Sequence, residues 1–162
     1  MLSDALQNGF NEQIQKEFYS SYLYLAMAAH FEAANLPGFA SWMKKQSDEE
    51  RGHGMKLWDY VYDRGGKVVL SAIEQPPVAF GKPLEVFEQV LAHEEKVTQS
   101  INALYALAAK NDDVAAEIFL QWFVTEQVEE EKSVTDVIAQ LKMSGDNGFA
   151  ALFVDKHILG QR

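Results

Sequence analysis

The chain has 162 residues, no cysteine and a formal net charge of −10 at pH 7. That length supports one domain, 1–162, with a sizeable core; the missing cysteines exclude a disulfide framework and a thiolate metal site and fit a reducing, cytoplasmic compartment. The acidic balance argues against nucleic acid and attracts cations, no apolar run approaches the roughly 20 residues of a membrane span, and Met1-Leu2-Ser3-Asp4 opens the chain without a basic stretch or a signal core.

Ser3 or Asp4 can cap a first helix over about 4–34. Its stripe reads Phe10, Ile14, Glu17 with Phe18, Ser21, Leu25 and Ala28, the i, i+3, i+4, i+7 spacing of one helical face. Asn35-Leu36-Pro37-Gly38 breaks it, and Pro37 suits the first turn of a second helix, where its missing N–H costs nothing. That helix, about 37–64, carries Phe39, Met43, Gln46, Glu50, His53, Leu57 and Tyr60 on one face, and Arg64-Gly65-Gly66 ends it. Residues 67–82 are a long connection: Val68-Val69-Leu70 has an extended character and Gln75-Pro76-Pro77 resists a helix. A third helix opens at Pro83, runs to about 110, and carries Phe87, Leu91, Glu94, Val97, Ile101, Leu104 and Ala108. Asn111-Asp112-Asp113 makes a turn and N-cap. A fourth helix, about 113–143, carries Phe119, Phe123, Gln127, Glu130, Val134, Val137 and Leu141. After a glycine-containing break over 144–148, the apolar segment Phe149 to Leu159 suits a short fifth helix, about 148–159.

Helices of about 28 residues are roughly 42 Å long. Two short turns make two antiparallel hairpins, and the middle connection, when extended, can run the length of the bundle. The expected fold is therefore all-α: a four-helix bundle with one long crossover connection and a short C-terminal fifth helix.

Each of the four stripes is interrupted near its midpoint by polar residues where a core residue belongs: Glu17, Glu50 with His53, Glu94, and Gln127 with Glu130. In helices of similar length these midpoints share one level, so the six side chains converge. Bare carboxylates inside a bundle cost several kcal/mol or more, so a cation belongs among them. An acid-rich ligand set with one imidazole suits iron or manganese better than zinc. A Glu from each of two helices and a Glu-x-x-His from each of the other two is the known pattern of ferritin-like di-iron carboxylate bundles. Here Glu17 and Glu94 are the single glutamates and Glu50-Arg51-Gly52-His53 is a full Glu-x-x-His, while the fourth helix departs with Gln127-Val128-Glu129-Glu130.

On Glu17 through Tyr24, Glu49-Glu50-Arg51-Gly52-His53, Glu94, and Trp122 through Glu130, the chain resembles the bacterial non-haem ferritins over nearly its whole length. The resemblance implies that Glu50 bridges two irons, that Glu17 and His53 hold the first and Glu94 and Glu130 the second, and that Gln127 sits beside the pair as a weak ligand. It implies a ferroxidase that oxidises Fe(II) with O2 and stores ferric mineral inside a homo-oligomeric shell of twenty-four subunits, with the fifth helix around the four-fold axes. Bacterioferritins carry a haem-ligating Met where this chain has Arg51, so no haem is expected. Glu49, Glu126 and Glu129 lie one residue out of register with the core ligands; by the same resemblance they form a third iron site, and otherwise they are a solvated acidic face. Tyr24, near the metals, either supplies an electron during oxygen reduction or is a core tyrosine with a satisfied hydroxyl.

Trp122 reads as core packing, His93 as a surface imidazole about 100° from Glu94, His30 and His157 as structural or exposed, and Glu88, Glu95 and Glu131 as surface acids. Three rival classes are a di-iron oxygenase or peroxidase acting on a small substrate, a DNA-protecting mini-ferritin, and a metal-free helical interaction protein. The first needs a substrate pocket for which the chain has no insertion, the second places metals between subunits, and the third would put leucine where the carboxylates stand.

Overall fold

Ser3 accepts a hydrogen bond from the Leu6 N–H at 3.3 Å and starts α1 (Asp4–Ala33). Asn35, at φ 57°, turns the chain, and Pro37 opens α2 (Pro37–Asp63) at its first turn. Gly65, at φ 70°, ends that helix in the left-handed conformation that glycine adopts without strain. Pro83 opens α3 (Pro83–Lys110), where the Glu85 side chain accepts from the Lys82 N–H at 2.7 Å. Asp113 caps α4 (Val114–Ser144) by accepting from Ala116 N at 3.0 Å, and α5 spans Gly148–Leu159. The computed structural model describes residues 1–145 and 147–159; among them these five helices are the regular structure, and there is no strand. Residue 146, within the break after α4, lies outside the described residues. No described helix is long and apolar enough to cross a membrane.

The crossover decides the topology. Lys67 N donates to Gln7 at 2.7 Å, Val69 N to Asn11 at 2.9 Å, Gln15 donates to the Ala72 carbonyl at 3.2 Å, and His30 reaches the Gly81 carbonyl at 2.8 Å. The connection therefore runs alongside α1 from its first turns to its last, a span of roughly 35 Å at 1.5 Å per residue. Residues 67–72 are extended without being a strand, because their backbone groups pair with α1 side chains instead of a second strand. So α3 starts where α1 ends and runs parallel to α2. A forked ion pair, Arg64 to Asp113 at 2.9 and 3.1 Å, ties the end of α2 to the cap of α4.

The apolar core falls into two clusters. One contains Leu6, Phe10, Ile14, Leu57, Ile101 and Leu120; the other contains Met27, Phe31, Phe39, Met43, Phe87 and Val134 and extends to Val154 and Ile158 of α5. Helix α5 docks on the start of α2. The buried Asp155 accepts from Phe39 N at 2.8 Å, satisfying a first-turn N–H, and Gly38 lets the two backbones meet: a Cβ there would lie 1.9 Å from the Asp155 carbonyl oxygen. One stripe position differs from the sequence reading. Leu25 is 46% exposed, because the inward face of α1 follows Tyr24, Met27, Ala28 and Phe31.

Candidate metal centre

Between the two apolar clusters lies a polar layer, and all four long helices contribute to it. Along α1 the break falls at Glu17 and Ser20, along α2 from Gln46 to His53, along α3 at Glu94, and along α4 at Gln127 and Glu130. All of these side chains are buried. The i, i+3 spacing of Glu50 and His53 puts both on one face, with His53 Nδ1 3.7 Å from Glu50 Oε2 and 3.9 Å from Glu17 Oε2. Glu17, Glu50 and His53 thus offer three donor atoms close enough to share one ion, and His53, Glu126 and Glu130 form a second such group. The two ring nitrogens of His53 face different acids: Nε2 lies 3.9 Å from Glu126 Oε1.

Hydrogen bonds distinguish the carboxylates. Glu17 Oε1 accepts from Gln13 Nε2 at 2.7 Å, and Glu130 Oε2 from Gln46 Nε2 at 2.7 Å. Glu94 accepts from the Tyr24 hydroxyl on Oε1 and from Gln127 Nε2 on Oε2 at 3.1 Å. Glu50 is 0% exposed, and its two oxygens are the only buried side-chain polar atoms among the described residues with no hydrogen-bond partner. A buried carboxylate left bare costs the full desolvation of its charge. A cation coordinated by both oxygens removes that cost, and the hard-oxygen and single-imidazole donor set fits Fe(II).

The electrostatics agree. Burial first, then the Glu50 carboxylate, push Glu17 well above the usual carboxylate range. Burial and then Glu94 do the same to Glu50, burial raises Glu94, and burial followed by Glu94 lifts Glu130 to about 7. Burial and the charge of Glu94 also raise Tyr24. These shifts express like charges crowded in a dry layer, and a divalent cation among them inverts the balance.

The remaining residues predicted for the site divide. Gln127 spends its amide nitrogen on Glu94, the Glu94 carbonyl and Thr98, so only its oxygen is left for a metal. Tyr24 is fully buried with its hydroxyl on Glu94. Glu126 is partly buried beside His53, whereas Glu49 lies 3.8 Å from Lys45 and Glu129 is exposed. Trp122 is not core: it is 39% exposed on α4, edge-on to the His53 ring at 5.4 Å and beneath Lys56 Nζ at 4.1 Å. His93 is not a surface imidazole. Its Nε2 lies 2.7 Å from Ser20 Oγ, its ring stands edge-on to Tyr24, and burial followed by Lys96 lowers its pKa to about 4. Turning 100° from Glu94 on α3 brings it against α1 and not into solvent.

Two residues of the layer were given no role in the sequence, Gln13 and Gln46. Gln13 precedes Glu17 by four residues on the same helix, and that spacing is its available signal; Gln46 shows only as a polar residue on the inward face of α2, since its partner Glu130 lies on α4.

Known proteins share both the sequence and the fold. The ferritin-like domain family matches residues 7–144. The chain is 46% identical to a bacterial non-heme ferritin of Bacteroides fragilis over 162 residues, all of both chains. It is 40% identical to one of Staphylococcus saprophyticus over 158 residues, 98% of this chain and 95% of the relative. A crystal structure described as a novel open pore ferritin from the hyperthermophilic archaeon Archaeoglobus fulgidus superposes with a TM-score of 0.97 at 43% identity, over 100% of each chain. The converging carboxylates, the crossover topology and these likenesses have one reading: the chain belongs to the ferritin family.

Proposed function

We propose that this ferritin oxidises Fe(II) with O2 at a pair of sites inside each subunit and keeps the product as ferric oxide-hydroxide mineral inside a closed shell of twenty-four copies. Iron storage follows from its family; the oxidation chemistry rests on the centre. The observation that carries it is Glu50, buried with both oxygens unpartnered among three other ligand carboxylates. Glu50 bridges, Glu17 and His53 complete the first site, and Glu94 and Glu130 complete the second. Fe(II) gives up one electron, whereas O2 is more readily reduced by two. Two ions held at bridging distance supply both electrons together, and O2 takes up two protons to leave as hydrogen peroxide. Anionic oxygen ligands favour Fe(III), which drives the transfer. Gln127 stands where the Glu-x-x-His pattern has its glutamate, and a neutral amide there leaves a weaker hold on an ion that must move on to the store.

Glu49, Glu126 and Glu129 make a third site beside the pair, with Glu126 the member nearest His53. The assembled shell is supported by apolar surface left open on the isolated subunit: Phe149 is 81%, Phe153 62% and Leu152 48% exposed on α5. A cysteine-free acidic chain fits the cytoplasm.

Aerobic Fe(II) addition tests the whole reading. The expected result is a fast stopped-flow absorbance phase followed by a stable amber mineral that co-sediments with a particle of shell size. Slow oxidation at the rate of free Fe(II), or a monodisperse monomer or dimer at neutral pH, overturns it. Glu129→Ala should leave the fast phase largely intact while changing the Fe:O2 stoichiometry and later turnover; loss of the fast phase would move Glu129 into the primary pair.

A further inference from the structure

We infer that Gln13 and Gln46 are positioning residues of the centre, neutral amide clamps that preset Glu17 and Glu130 before metal arrives and leave Glu50 as the carboxylate free to bridge. The inference rests on the ferroxidase-site reading for the identity of the ligands and adds two residues that hold ligand carboxylates without being ligands themselves. Gln13 is 1% exposed and Gln46 is 1% exposed, so neither amide is there for solubility. A buried amide must spend its hydrogen bonds, and each spends one on a ligand carboxylate at 2.7 Å.

The direction of the Gln13 clamp follows from its neighbours. Lys16 Nζ, which can only donate, gives a hydrogen bond to Ser100 Oγ at 2.7 Å. Ser100 passes its own proton on to Gln13 Oε1 at 2.5 Å. The Gln13 NH2 is thereby turned toward Glu17 Oε1, and Glu17 Oε2 is left facing His53 Nδ1. Gln46, on α2, does for Glu130 of α4 what Gln13 does for Glu17, on Oε2. Glu94 is held the same way by Gln127 and by Tyr24. Glu50 is the one carboxylate of the four with no such donor.

An amide is the donor this layer needs. A lysine or arginine in the same place would neutralise the carboxylate and compete with the incoming cation. An amide holds one oxygen without adding charge, does not titrate, and leaves the carboxylate's charge for the metal. Partners of this kind, once removed, typically weaken metal binding by about ten- to a hundred-fold.

The test uses the assembled metal-free protein and Co(II), an oxidation-resistant stand-in for Fe(II) whose visible spectrum reports its ligands. Methionine matches glutamine in length and bulk without its N–H. Wild type should bind two Co(II) per subunit tightly. Gln46→Met should weaken one of the two by about ten- to a hundred-fold, with a changed spectrum for that ion and only a small fall in the metal-free melting temperature from the donor that Glu130 loses. Gln13→Met should do the same to the other ion, and it carries the test if Gln46→Met fails to assemble. Both ions bound as in wild type, or both weakened equally in step with a lower melting temperature, overturns the inference. Wild type that binds two Co(II) but does not oxidise Fe(II) refutes the ferroxidase reading while leaving the clamps in place.

Discussion

The apolar ends of the bundle and its polar middle are built on the same four helices and follow opposite rules. At the ends, Phe10, Phe31, Phe39 and Phe87 are fully buried, and burying such a side chain stabilises by roughly 1.5–3 kcal/mol. In the middle, Glu17, Glu50, Glu94 and Glu130 are just as buried, but burial there drives their pKa values up, which means the fold is holding charge where it is disfavoured. The ends hold the metal-free protein together and the middle opposes them. The difference supports the proposed chemical role of the layer, because an apolar replacement would hold the bundle at least as well.

The largest expected effect comes from removing the proposed bridge. On that reading Glu50→Ala takes a ligand from both sites and should nearly eliminate fast Fe(II) oxidation, while the metal-free melting temperature stays level or rises as its carboxylate neighbours lose a repelling charge. His53→Ala and Glu94→Ala should each slow the reaction less completely, on opposite ions. Stopped-flow absorbance beside calorimetry of the same metal-free variants reads both quantities. Wild-type rates in Glu50→Ala would falsify its bridging role, and a collapse of thermal stability would assign the middle a structural purpose.

The opposite pattern belongs to the ends. Phe87→Ala, in a ring cluster with Phe39 and Trp42 at 5.5 and 5.1 Å, should cost about 3–5 kcal/mol of metal-free stability. Oxidation per folded subunit at low temperature should change little. Equal losses of stability and rate would show that the two regions are not separable.

A pH series sharpens the comparison. Glu130 has a folded pKa of about 7 against an ordinary 4.5. Its contribution to stability is therefore fully present below about 4.5 and is lost as pH rises through 7, a loss of roughly 3 kcal/mol. Glu130→Gln does not titrate, so its metal-free melting temperature should gain on wild type between those pH values and then level. Co(II) should abolish the gap by stabilising wild type. A constant offset across the range would mean that Glu130 is not held against its charge.

The smallest effect is expected from Tyr24→Phe. The hydroxyl donates to Glu94 at the border of the apolar cluster, so its loss should remove about 1 kcal/mol and slow later rounds of oxidation more than the first. An identical progress curve over many rounds would reduce Tyr24 to a packing residue with a satisfied hydroxyl.

The sequence by itself determined the helices and the level of the inward carboxylates. Periodicity reports which face of a helix is inward, and a charged residue on that face stands out wherever it occurs; hence Glu17, Glu50, His53, Glu94 and Glu130 were all legible, and so was the crossover, from the length of the connection and its prolines. Periodicity carries no information about which helices are neighbours, and that is what the tertiary structure decided. Gln46 looks like an ordinary polar residue on its stripe until α4 is laid beside α2 and Glu130 is seen to accept from it. Leu25 and Trp122 look like core until α1 and α4 are rotated into place and leave them half outside. His93 looks like surface until α3 is laid against α1 and its ring meets Ser20 and Tyr24. A helical stripe is roughly 100° wide, and residues at its margin are sorted inside or outside by the partner helix alone.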